Sequence, residues 1–142
     1  MSADHYEATV RFGNPVEPRR LRRWWIAVAI LIVAAAFIEA VFAGAMLSGA
    51  AWARAAHGTG ALLLIASTTV AGLVAVLTLR HVARGPRLGL ILLSLAAAIF
   101  VQAALGAISA HGANLLWLHV PLGVALVGLA GQAVAIARRL GE

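Results

Sequence analysis

The chain has 142 residues, 63% apolar and 11% charged, with a mean hydropathy of +0.96. So few charges cannot cover a soluble globule, so water-soluble enzyme and binding domains are excluded. The net charge of +6 comes from arginines grouped at the ends of apolar segments, which points to membrane topology and anionic headgroups rather than to nucleic acid. There is no cysteine, which removes disulfides, thiolate metal ligands, covalent c-type haem attachment and palmitoylation.

Four apolar segments follow one another at 24–48, 55–79, 88–110 and 114–137. Each meets the requirement of about 20 residues for a helix to cross a hydrocarbon core of about 30 Å. The expected fold is therefore all-α: an integral membrane four-helix bundle, with a polar tail at 1–23 and a short C-terminus at 138–142. Five arginines precede the first segment (Arg11, Arg19, Arg20, Arg22, Arg23), three lie between the second and third (Arg80, Arg84, Arg87), two follow the fourth (Arg138, Arg139), and Arg54 stands on the opposite side. The positive-inside rule places both termini and the middle loop in the cytoplasm of a bacterial-type inner membrane. The first apolar run is far longer than a signal-peptide core, so helix 1 is expected to be retained.

In chain order, the tail carries Pro15, Pro18 and the solvated His5 before its arginine cluster. Helix 1 opens with Trp24 and Trp25, suited to the headgroup belt, and runs to Glu39, the one carboxylate inside any apolar segment. An ionisable group at that depth costs several kcal/mol unless paired or protonated, which makes it a functional candidate by default. Its alternative is a protonated acid hydrogen-bonded to a neighbouring helix. Ala40, Gly44 and Ser48 form a small-residue stripe that permits close helix approach. A short turn holding Trp52 and Arg54 leads into helix 2, which bears His57, Gly58 and Gly60 and ends at Arg80 and His81. His81 belongs to the arginine-rich loop and is not expected to be a ligand. Gly85-Pro86 breaks the chain before helix 3, which reaches Gln102 and Gly106. The second outer turn holds His111, Gly112 and Asn114. Helix 4 carries Trp117, His119, Pro121 and Gly123, and the proline predicts a kink beside His119 by freeing the carbonyl of Trp117.

The two halves correspond. At an offset of 62 residues, Gly44-Ala45 is matched by Gly106-Ala107 and His57 by His119. This pattern predicts two tandem helix-hairpin repeats. Both midpoints between glycine and histidine fall in the outer turns. A symmetric hairpin then sets each glycine level with its histidine, about 9 Å below the outer end. His57 and His119 come to equal depth on non-adjacent helices, with gaps at Gly44 and Gly106 where a flat macrocycle would otherwise strike side chains. Haem iron accepts imidazole nitrogen as an axial ligand, so the expected cofactor is one haem b held by His57 and His119. Glu39, Gln102, Arg54 and His111 are its candidate hydrogen-bond or propionate partners. A structural pair of interhelical hydrogen bonds, a metal ion and a proton relay remain open alternatives.

The run Phe100-Val101-Gln102-Ala103-Ala104-Leu105-Gly106-Ala107, followed by His119 and Gly123, resembles the haem A synthase family. Halves of that family pair a Gln-x-x-Leu-Gly helix with a following helix bearing an axial histidine. The resemblance covers the four helices in outline, and at residue level Gln102, Leu105, Gly106, His57 and His119. It implies one four-helix half of a fold that is commonly eight helices, and haem b ligation by histidines on the second and fourth helices. The family's catalytic half carries a carboxylate in or beside its first outer loop, whereas Ser48–Ala56 here contains no acid, and the family's paired loop cysteines are missing. The resemblance thus supports the haem fold and not oxidation of a haem methyl group by an oxygenase. A looser likeness, to small bacterial four-helix membrane proteins with His-x-x-Gly openings on helices 2 and 4, implies the same architecture and no activity.

With both axial positions filled, electron transfer is the expected role, between a quinol or partner membrane subunit and an acceptor on the outer side. The competing expectation is a cofactor-free accessory subunit of a larger membrane complex. A homo-oligomer rebuilding an eight-helix shape is compatible with either.

Overall fold

A computed structural model describes residues 18–142; the tail before them, with His5 and Arg11, lies outside the described residues. Four helices follow in order: α1 (Pro18–Leu47), α2 (Ala51–Thr78), α3 (Gly85–Ala110) and α4 (Leu116–Arg138). No strand occurs among the described residues. All four helices are long and apolar enough to cross a membrane. At 1.5 Å per residue the shortest, α4, spans about 34 Å and α1 about 45 Å, so α1 outruns a hydrocarbon core by several turns. That excess is where the arginine cluster lies. Arg19, Arg20, Arg22 and Arg23 belong to the first turns of α1 rather than to a preceding tail, so the helix begins six residues earlier than hydropathy predicts. Arginine is a good helix former, and the hydropathy boundary marks the end of the apolar core rather than of the helix.

The other boundaries move for local reasons. Gly85-Pro86 does not precede α3 but opens it, since a proline in the first turn lacks only an N–H that would have no partner there. The sharp change of direction falls instead on Arg84, at φ 64°. Both turns at the end away from the arginines, called outer below, close in the same way. Gly49 (φ 89°) and Gly112 (φ 99°) each terminate a helix in the left-handed conformation. Amide-to-carbonyl bonds run from Gly49 to Met46 and Ala50 to Ala45, and from Gly112 to Ser109 and Ala113 to Ile108. This is the paired bonding of a Schellman cap, which needs no side chain. Pro121 lies inside α4, which continues through it as one helix.

Each helix packs on two neighbours, α1 on α2 and α4, α3 on α2 and α4, and no diagonal pair has Cα atoms within 8 Å. The section is therefore a four-sided ring with an axis that the side chains must fill. They fill it unevenly. Trp25, Ala29 and Ile32 of α1, Ala75 of α2 with Leu79 just past it, Leu88, Leu92 and Leu95 of α3, and Ala130, Ala133 and Ala137 of α4 form the core toward the arginine-rich end, and Leu64 and Ile99 of the same core border the open half. There α2 and α3 approach closely: a Cβ on Gly72 would meet Leu93, and one on Gly89 would meet Val76 and its backbone nitrogen at 2.8 Å. Toward the outer turns, Ala36, Ala40, Ala43, Gly44, Ala61 and Ala103 face the axis and leave it open. The outside of the bundle is apolar, with Leu31, Phe37, Leu62, Leu77, Leu90 and Phe100 all exposed, a surface suited to lipid.

Substituting Gly89→Val should wedge α2 from α3 and cost at least about 1–3 kcal/mol through overpacking. Unfolding in mixed detergent micelles measures it, with Gly128→Ala, which faces open space, as the tolerated control.

Candidate functional site

The outer half of the ring encloses a cavity of about 270 Å³ to which all four helices contribute. Its wall is largely alanine, glycine and branched aliphatic side chains, interrupted by Glu39, His57, Gln102 and His119, one from each helix. His57 and His119 stand on diagonal helices and Glu39 and Gln102 on the other diagonal, so polar groups alternate around the ring.

In the α3–α4 hairpin the two polar residues lock together. The Gln102 side-chain amide donates to the His119 carbonyl at 2.5 Å, and His119 Nδ1 donates to the Gln102 carbonyl at 3.0 Å. A carbonyl can only accept, so the proton of a neutral His119 ring is on Nδ1 and the lone pair is on Nε2. Two glycines make the space. A Cβ on Gly106 would lie 2.8 Å from His119 Cε1, and one on Gly123 would lie 3.1 Å from Gln102 Nε2. Gly106 is thus level with His119, but its gap is filled by the imidazole itself. Gly123 likewise admits the Gln102 amide rather than space beside the ring.

In the α1–α2 hairpin, Glu39 Oε2 lies 2.8 Å from His57 Nδ1. The distance is that of an ion pair or hydrogen bond, yet neither atom completes hydrogen-bond geometry, so the pair is a close contact and not a locked one. A Cβ on Gly60 would collide with the Glu39 carboxylate, so this glycine opens the pocket the acid occupies. Gly44 faces open space on the cavity wall, as a gap beside a planar group would require. Gln102 Oε1 is buried without a partner.

The remaining sequence candidates are elsewhere. Arg54 is exposed in the first turn of α2 and does not line the cavity. His111 is exposed at the outer turn, its Nδ1 2.7 Å from the Ala107 carbonyl of its own helix. Both are excluded from the cavity wall because they belong to helix ends, beyond the level where the axis widens. Sequence does not single out Gly60 as a site residue, and it reads Gly123, one turn below His119, as room beside the ring. The two glycines share an offset of 63 with Glu39/Gln102 and Gly49/Gly112, one more than the histidine offset, and that second register was the available signal.

Among the described residues no three histidine or acid side chains gather as a metal-binding cluster. The donor set instead offers two imidazoles from opposite sides of one cavity, with the free Nε2 of His119 defined by its carbonyl contact. That set suits a group that brings its own equatorial ligands and requires two axial ones. The cavity lies just below the usual range of about 300–1,000 Å³ for small-molecule sites, so a macrocycle would fill it and extend past its wall.

Gln102→Ala should remove one fastening and leave the His119 ring less constrained, at about 1 kcal/mol. Gly106→Val should displace the ring itself and cost about 1–3 kcal/mol. Thermal unfolding of the two variants in detergent ranks them. No protein-family model, curated protein or solved structure matches the chain.

Proposed function

We propose that this is a multi-pass membrane protein of a bacterial-type inner membrane, built from two tandem helix hairpins, that binds one haem b through His57 and His119 and serves electron transfer. The observation that carries the reading is that both imidazoles line one cavity from diagonal helices. His57 and His119 would hold the haem, which would supply reversible one-electron chemistry. The chain's own residues have separate tasks. Gln102 holds the His119 ring and its tautomer, as the outer partner of a metal-bound histidine does. Glu39 stands in the corresponding place beside His57. Gly60, Gly106 and Gly123 admit these side chains, and Gly44 leaves the wall open. Short outer turns provide no extramembrane catalytic domain, which favours exchange with a membrane quinol or a partner subunit over chemistry on a bulky substrate.

A second reading, a cofactor-free subunit of a larger membrane complex, is favoured by the reciprocal Gln102–His119 bonds, which fasten α3 to α4 with no ligand. The two readings separate in one experiment. Purified with haem supplied during expression, the protein should show sharp low-spin b-type bands in its reduced-minus-oxidised spectrum, at one haem per chain. His57→Ala and His119→Ala should each abolish them while the helix content stays. A featureless spectrum from folded wild-type protein would remove the haem reading and leave the second.

Orientation has its own test, made simple by the absence of native cysteine. Single cysteines at Ser48 and at Ala83 should differ in labelling of intact cells by a membrane-impermeant maleimide. Ser48→Cys should react and Ala83→Cys should not, since the arginine-rich end is placed in the cytoplasm.

A further inference from the structure

A second concavity lies away from the histidines, on the outer face of α1. Arg20, Arg23, Trp24, Ala27, Val28 and Leu31 line a groove of about 370 Å³. These positions recur at intervals of three and four and so form one stripe of the helix, turned away from the face that buries Trp25, Ala29 and Ile32 in the core. Its chemistry changes along its length. Arg20 and Arg23 line its arginine-rich end with little but their aliphatic stems, an exposed indole follows, and then an apolar trough lies over Ala27, where a methyl replaces a larger side chain.

We propose that this groove binds one anionic phospholipid, its phosphate held by Arg20 and Arg23 and an acyl chain laid along Trp24, Ala27, Val28 and Leu31. Arginine offers forked donors suited to phosphate oxygens, and the aliphatic stripe continues from them in the direction an acyl chain takes into the bilayer. Charge decides between occupants. The stripe has the spacing of a helix–helix seam, but copies of this chain share one orientation in a membrane. Parallel pairing through the stripe would bring Arg20 and Arg23 of one copy against the same residues of the other. The arginine-rich end as a whole carries Arg19, Arg80, Arg84, Arg87, Arg138 and Arg139 besides, against the single acid Glu142 among the described residues there. Glu142 is 3.8 Å from Arg22, which does not line the groove. An anionic partner is therefore the one that the groove's polar end attracts.

The test is native mass spectrometry of the full chain released from micelles containing equal phosphatidylglycerol and phosphatidylcholine. Wild-type protein should retain one phosphatidylglycerol in preference to phosphatidylcholine. Replacing both Arg20 and Arg23 by Ala should reduce that retention about thirtyfold, following a contribution near 1 kcal/mol for each basic residue at an anionic surface. The Arg138→Ala, Arg139→Ala double variant loses the same charge from the same end, outside the groove, and should keep the lipid. Equal loss in both double variants would assign the lipid to a diffuse basic belt and overturn the proposal, as would no loss in either. A dimer in detergent that Ala27→Trp dissociates would overturn it in favour of a second copy. Haem content enters none of these readouts.

Discussion

Inside a bilayer a polar side chain finds its hydrogen-bond partner within the protein or not at all. The reciprocal bonds between Gln102 and His119 meet that constraint, and the outer half of the bundle depends on them. They fasten α3 to α4 beside the cavity, where the axis is open, whereas most of the packed leucines and alanines lie toward the arginine-rich end. They also fix which nitrogen of His119 carries the proton, and so which one keeps a free lone pair. The pair forms because Gly106 and Gly123 yield the volume that the ring and the amide occupy.

The bundle is consequently two structures in series. At one end, leucines on α3 fill the axis and Gly72 and Gly89 draw α2 and α3 together. At the other, alanines and glycines face the axis, and a ring of four helices without diagonal contact encloses space by default. Small residues allow close approach where two helices face one another, yet leave a void where four surround an axis. The same composition thus gives tight packing between neighbours and a cavity at the centre. The rigid end positions the helices, and the open end presents histidines to the space between them.

The hairpins place similar residues in similar places and differ where it matters chemically. Each contributes a polar residue from its first helix, a histidine from its second, a glycine that accommodates the polar group, and a glycine-terminated Schellman turn. One polar residue is an amide whose NH2 donates to the backbone of the next helix while its Oε1 stays unpartnered. The other is a carboxyl that approaches an imidazole without completing one. His57 and His119 therefore do not have equivalent surroundings. A group bound between them would meet an acid on one side and a neutral carbonyl on the other.

Hydropathy alone determined the helix count, since four runs of apolar residues longer than a bilayer core admit little else. The spacing of His57 and His119 sets an expectation of similar depth, because periodicity converts sequence offset into position along a helix, and both residues line the one cavity. Glu39 and Gln102 were legible as costly polar groups at a common depth. Depth, however, says nothing about direction around the axis. Arg54 and His111 have suitable chemistry and sequence proximity, yet the structure turns them to the surface, because they lie at helix ends where the chain leaves the ring. Gly106 read as a vacancy in the wall, and the structure fills it with the neighbouring imidazole. Helix ends also moved, since arginine and a first-turn proline extend a helix beyond its apolar core. Sequence thus determined which residues lie at similar positions along the helices. Only the packing of four helices into a ring, where contact is set by rotation about each axis, decided which of them meet.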